Sequence, residues 1–146
     1  RIQASQTGIF RGRCAEYCGA QHAHMELLVV ADAPAAYQSW LAQQSANAQP
    51  PVTAQAEHGQ ELFQTRACVL CHTVRGTLAQ GRVGPDLTHI ASRLGLAANT
   101  VPNTTANLEA WVTHAQSLKP EAVMPDVTEF RGEELRDLTA YLEQLR

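Results

Sequence analysis

The chain has 146 residues, enough for one domain, or for one small domain and part of another. Its 45% hydrophobic and 17% charged content is that of a folded globular protein and excludes intrinsic disorder. All of the net charge of -3 lies in residues 57–146, because Arg1, Arg11 and Arg13 balance Glu16, Glu26 and Asp32 before them; with no basic stripe, nucleic acid is excluded as a partner.

The longest apolar run, residues 27–31, is far short of the roughly 20 residues that span a bilayer, so the chain itself is expected to be soluble. Position 1 is not Met and no signal-peptide pattern follows it, which reads as a processed or truncated piece of something longer. Residues 8–12, GIFRG, and 25–31, MELLVVA, are short and rich in β-favouring types, which predicts two strands. Between them the loop CAEYCGAQHAHM packs Cys14, Cys18, His22 and Met25 close together. Pro34 then sits where a helix begins, with Tyr37, Trp40 and Leu41 at helical spacing through Gln44.

Residues 46–53 lack periodicity and contain a Pro pair, which predicts a semi-stiff linker that divides the chain into 1–45 and 54–146. Beyond it, residues 57–65 predict a helix with Leu62 and Phe63 on one side, ending just before Cys68-Val-Leu-Cys71-His72. Residues 73–84 predict a loop, with short helices at 87–94 and 107–116. The clearest helix is residues 133–145, where Leu135, Leu138, Tyr141, Leu142 and Leu145 form one stripe and Glu133 and Glu134 favour the N-terminal dipole. No strand is expected in this second half.

A bare CxxC serves a redox disulfide, a zinc ion or a porphyrin. A dithiol enzyme needs a β-α-β frame, and a zinc site needs a second Cys/His pair; residues 54–146 offer neither. CxxCH instead presents two thiols to the two vinyl groups of a haem and, directly after them, an axial imidazole. A sixth ligand must come from elsewhere. Met124 is the only methionine beyond the linker; His89 and His114 are the other donors, each more in keeping with a surface or capping histidine. In the first half, two thiolates, an imidazole and a thioether from one loop are the donors that copper prefers, the rival reading being a disulfide beside an incidental histidine.

Residues 54–146 resemble a class I cytochrome c through Gly59 and Phe63, then Cys68, Cys71 and His72, then Gly84-Pro85-Asp86-Leu87, Met124-Pro125, and Tyr141 and Leu142. The resemblance implies an all-α domain whose first and last helices cross, a covalent haem c held by Cys68 and Cys71, His72 and Met124 on the iron, and the Pro85 carbonyl orienting His72. Residues 14–25 resemble the binuclear CuA loop of oxidase subunit II, which implies a partial all-β, cupredoxin-like segment. Family roles there would fall to Cys14 and Cys18 as bridging thiolates, His22 as a terminal ligand, Met25 as a weak ligand and Glu16 through its backbone carbonyl. His24 is expected to point away. That family takes a second histidine from a strand well upstream, so copper is expected to be held incompletely, with Cys14 and Cys18 reduced or disulfide-bonded and open strand edges exposed.

Together the two pieces resemble subunit II of the haem-copper oxidases that carry a fused cytochrome c, although Glu121 and Ala122 stand where a glycine-containing turn is usual. The implied function is electron relay from a donor through haem c to CuA, at the periplasmic or extracytoplasmic face of a bacterial inner membrane. Its partners would be oxidase subunit I and other oxidase subunits, with an upstream electron donor, and its membrane contact would run only through an N-terminal anchor. The linker would keep donor and acceptor at an effective concentration of order mM. Such a relay needs no catalytic residue in this chain. The alternatives are a free-standing cytochrome c carrier with a copper-loop remnant, and a thiol-disulfide enzyme using Cys68 and Cys71.

Overall fold

The computed structural model describes residues 2–146. Two strands, β1 (Gly8–Arg13) and β2 (Glu26–Ala31), pair antiparallel with Gly8 opposite Ala31 and Arg13 opposite Glu26. The intervening loop closes on itself through the Cys14 N–H, which donates to the Met25 carbonyl at 3.1 Å, and a single 3-10 turn at His22–His24. Helix α1 (Pro34–Ser45) follows, opened by Pro at its first position, where the missing N–H costs no hydrogen bond. None of residues 2–53 is buried.

The core begins at Ala56. Helix α2 (Ala54–Thr65) starts three residues earlier than the apolar pattern alone predicts, because the Thr53 hydroxyl accepts from the Ala56 N–H at 3.1 Å and caps it. Helix α6 (Glu133–Gln144) crosses α2 at Gly59: a Cβ there would lie 1.9 Å from the Asp137 carbonyl oxygen, so only glycine lets the two backbones meet. Phe63 and Tyr141 pack one turn on with their rings tilted by 59° and centroids 5.8 Å apart, and Leu62, Leu138, Leu142 and Leu145 fill the space around them.

Three expectations need correction. Residues 87–94 do not form a helix; only the 3-10 turn Ile90–Ser92 forms, since the chain there is held by tertiary bonds such as the Ala91 N–H to the Leu145 carbonyl at 2.8 Å. The second half does contain strand: β3 (Gly95–Leu96) pairs with β4 (Val101–Pro102) around a turn in which Ala97, Ala98 and Asn99 all have positive φ. The helix predicted at 107–116 starts at Thr105, capped by Thr104, and breaks at His114 into α4 (Thr105–Thr113) and α5 (Ala115–Leu118).

Residues 46–53 and the residues just before them make several contacts with the second half of the chain. The Arg75 guanidinium donates to the carbonyls of Gln44 and Ser45 at the end of α1, the Ala48 N–H donates to the Arg75 carbonyl at 3.0 Å, and the His89 Nε2 lies 3.2 Å from the Ala46 carbonyl. Further on, the Val52 N–H donates to the Gln144 side chain at 3.1 Å. The segment is packed along the second half of the molecule. No helix is long and apolar enough to cross a membrane among the described residues.

Candidate metal centres

Cys68 and Cys71 occupy the single-turn helix α3 (Cys68–Cys71), and His72 terminates it by donating its N–H to the Cys68 carbonyl at 3.0 Å. That short turn carries both thiols and the imidazole within five consecutive residues. The loop after it folds back under His72: the Gly81 N–H donates to the His72 carbonyl at 3.0 Å and the Gly84 N–H to the Cys71 carbonyl at 2.8 Å. Gly84 must be glycine, because a Cβ there would sit 2.5 Å from His72 Cε1, against the face of the ring. Gly81 is constrained likewise, 2.5 Å from the Cys71 carbonyl carbon.

The His72 Nδ1 lies 2.8 Å from the Pro85 carbonyl oxygen. A carbonyl can only accept, so Nδ1 carries the proton and Nε2 keeps its lone pair for a metal. Asp86, next in the chain, accepts from the Thr88 N–H at 2.8 Å and from its hydroxyl, while Arg75 approaches its other oxygen at 3.5 Å. Burial pushes this carboxyl up, but Thr88 and Arg75 outweigh it and hold Asp86 below the usual carboxylate range. The Gly-Pro-Asp backing of His72 is thereby locked.

Burial pushes the Cys68 thiol up to about 11. A thiol-disulfide enzyme needs a nucleophilic cysteine with a depressed pKa, so this environment disfavours that reading. Two half-buried thiols, an imidazole presenting Nε2 and a glycine that clears the ring face are together a donor set that fits a covalent haem c.

Met124 is half-buried on the segment between α5 and α6. Gln116 anchors that segment: its Nε2 donates to the carbonyls of Ala122 at 2.8 Å and Met124 at 2.7 Å, and its backbone N–H donates to Asp126 at 2.8 Å. Nothing in the sequence marks Gln116 for this role. Glu121 adopts a left-handed φ of 62°, so the usual glycine turn is made here by a residue that pays for it. Of the other candidate donors, His89 is buried rather than on the surface, and its Nε2 approaches a backbone carbonyl; His114 is exposed, with Nδ1 2.7 Å from the Thr113 hydroxyl.

In the first half, Cys14, Cys18 and His22 bring Sγ, Sγ and a ring nitrogen within 4.8 Å of one another. The two sulfurs are 3.5 Å apart, and the Met25 Sδ and His22 Nδ1 each lie 4.0 Å from the Cys18 Sγ. The Cys14 thiol donates to the Glu16 carbonyl at 3.1 Å, so that carbonyl faces the cluster. The Cys14 thiol beside it pushes the Cys18 pKa up. His24 is outside the group. Register explains the gathering: β1 and β2 clamp both ends of the loop, and the 3-10 turn brings His22 back over Cys18.

The family model for cytochrome c matches residues 56–146. This chain belongs to the cytochrome c family. Membership implies a covalent haem c and electron transfer, and the residues above fit that group. Over nearly its whole length the chain is also similar to proteins named cytochrome c oxidase subunit 2. That of Alkalihalophilus pseudofirmus is 35% identical over 145 residues, covering 99% of this chain and 42% of that protein. That of Bacillus sp. strain PS3 is 32% identical over 145 residues, covering 95% and 40%. That of Bacillus subtilis is 30% identical over 115 residues, covering 77% and 32%. The chain spans less than half the length of these relatives, and the similarity to the first two includes residues ahead of the cytochrome c match.

Proposed function

We propose that this cytochrome c chain relays electrons in a respiratory haem-copper terminal oxidase, from an upstream donor through haem c to a CuA centre on the same polypeptide. The observation that carries the reading is the presence, on one chain, of a His72 whose Nδ1 is satisfied by Pro85 and of a separate Cys14, Cys18 and His22 cluster. Bound haem c supplies one-electron chemistry at its iron. Cys68 and Cys71 would hold it covalently, His72 and Met124 would supply nitrogen and sulfur to the iron, and Pro85 would fix the His72 tautomer. At the copper site Cys14 and Cys18 would bridge, His22 and Met25 would cap, and Glu16 would contribute its carbonyl.

In this reading residues 1–45 are the end of a cupredoxin-like CuA unit and residues 54–146 the cytochrome c domain. Electron relay needs no general acid, base or nucleophile, so oxygen reduction belongs to oxidase subunit I. The chain would sit at the extracytoplasmic face of a bacterial inner membrane, against subunit I and other oxidase subunits. The second reading is a cytochrome c carrier with a copper-loop remnant, in keeping with a cluster that lies among residues none of which is buried.

The test is the reduced absorption spectrum with the pyridine haemochrome assay, together with copper analysis on the polypeptide at the full length of its relatives. A covalent haem α-band lost in the Cys68→Ser/Cys71→Ser double variant is expected, with copper lost in Cys14→Ser. A spectrum without an α-band overturns the haem assignment. Haem without copper at full length would leave the carrier reading standing.

A further inference from the structure

The loop bearing Cys14, Cys18, His22 and Met25 does not hang free of the cytochrome c domain. Glu26, the residue after Met25, donates its backbone N–H to the Ala98 carbonyl at 3.3 Å, and its carboxylate accepts from the Asn99 side-chain amide at 3.1 Å. The other carboxylate oxygen pairs with Arg13, its cross-strand partner, at 2.7 Å, and Arg11 stands 3.7 Å from the oxygen that Asn99 holds. The Glu26 side chain is only 14% exposed although it lies at the molecular surface, because these partners enclose it. A few residues earlier, the Gln21 side-chain amide donates to the Pro120 carbonyl. Lys119 ties the two acceptor segments together by donating from Nζ to the Ala97 carbonyl at 3.2 Å.

The turn that receives Glu26 is unusual in its own right. Ala97, Ala98 and Asn99 have φ of 54°, 57° and 64°, a run of left-handed residues with no glycine among them. L-residues resist that conformation, so something must hold it. What the conformation achieves is visible in its bonds: it presents a carbonyl and an amide side by side to β2. The second wall, residues 119–120, leads within a few positions to Met124, whose carbonyl Gln116 holds.

We propose that residues 97–99 and 119–120 form a docking cradle for the loop of residues 14–25, with Glu26 as its positioning residue, fixing that loop at one place on the cytochrome c domain. Its functional meaning rests on the relay reading above: electron tunnelling weakens steeply with distance, so a fixed seat replaces a search by a tethered unit with one constant separation. The docking itself does not depend on either metal.

The experiment is amide exchange and residual dipolar coupling by NMR on the haem-loaded chain, comparing the wild type with Asn99→Gly and Glu26→Gln. Glycine tolerates the φ of residue 99, so Asn99→Gly removes the side-chain donor without straining the turn. One alignment tensor is expected to fit residues 8–31 and 54–146 of the wild type together. In Asn99→Gly, exchange of the Glu26 amide should speed up about tenfold, as expected for loss of a hydrogen bond to a charged group. Residues 8–31 should then need their own tensor, with the haem spectrum unchanged. Glu26→Gln, which keeps an acceptor for Asn99 but loses the Arg13 pair, should fall between. Separate tensors in the wild type, or an Asn99→Gly chain that moves neither readout, overturn the cradle. A missing α-band sinks the relay reading instead, since the couplings report docking whatever the electrons do.

Discussion

Residues 14–25 collect two thiols, an imidazole and a thioether from one loop clamped by one hairpin, and none of residues 2–53 is buried. The cytochrome c domain carries Cys68, Cys71 and His72 on one turn but Pro85 and Met124 on segments farther along the chain, and its core runs from Ala56 to Leu145. The first arrangement needs little more than local register. The second depends on the crossing of α2 and α6, because α3 packs on α2 and α4 packs on α6. Damage to the core should therefore erase the second arrangement while sparing the first.

The strongest way to break the comparison is Phe63→Ala. Removing this buried ring should destabilise the cytochrome c domain by about 3–5 kcal/mol, read as thermal unfolding by circular dichroism. The alkylation rate of Cys14 and Cys18 below the new midpoint should stay at the wild-type value; a parallel rise in that rate would show that the hairpin depends on the same core. Next comes Gly59→Ala. Its Cβ meets the Asp137 carbonyl at 1.9 Å and the Tyr141 Cβ at 2.9 Å, and the helices must separate. A loss of roughly 2–3 kcal/mol is expected despite alanine's better helix propensity, checked by denaturant unfolding. Thr53→Ala removes only the α2 cap and should cost about 1 kcal/mol, measured the same way.

The smallest effect concerns pH. The hydrogen bond from His58 to the buried Asp137 carboxylate, 2.7 Å long, raises the His58 pKa above its ordinary 6.5. The contact thus contributes fully below the unfolded-state value and is lost as pH rises through the raised folded-state value. The midpoint of thermal unfolding should decline more steeply in the wild type than in His58→Gln as pH rises from the ordinary histidine value through the raised folded-state one. Asp86 acts in the opposite sense at the acid end: its depressed carboxyl contributes above the usual carboxylate range and stops contributing as pH falls through its folded-state value.

What was legible in the sequence follows the same division. Helices α2 and α6 were readable because their apolar residues repeat at helical spacing, and Gly59 against Asp137 is the physical content of the crossing that the resemblance implied. The gathering of Cys14, Cys18 and His22 is likewise a matter of short spacing between two strands. Residues 97–99 were not legible, since alanine at positive φ gives no signal; Asn99, a tolerated left-handed residue, was the one hint. The failed helix at 87–94 has a different origin. Leu87, Ile90 and Leu94 look periodic, yet the local bonds close three residues back, as from Ile90 to Leu87 and Arg93 to Ile90, while Ala91 and the Ile90 carbonyl bond to Leu145 and Asn103. Arg75 and Gln116 escaped notice because their partners are backbone carbonyls, which every residue has.

The grip of Arg75 on Gln44 and Ser45 changes what the proline pair at positions 50 and 51 can be used for. Extra residues inserted between Gln49 and Thr53 would lie downstream of that anchor, so the slack they add would bulge out locally and give the hairpin unit no longer leash. Only when the guanidinium, the Ala46 and Ala48 contacts and the seat of Glu26 all let go does chain length begin to govern how far that unit can swing.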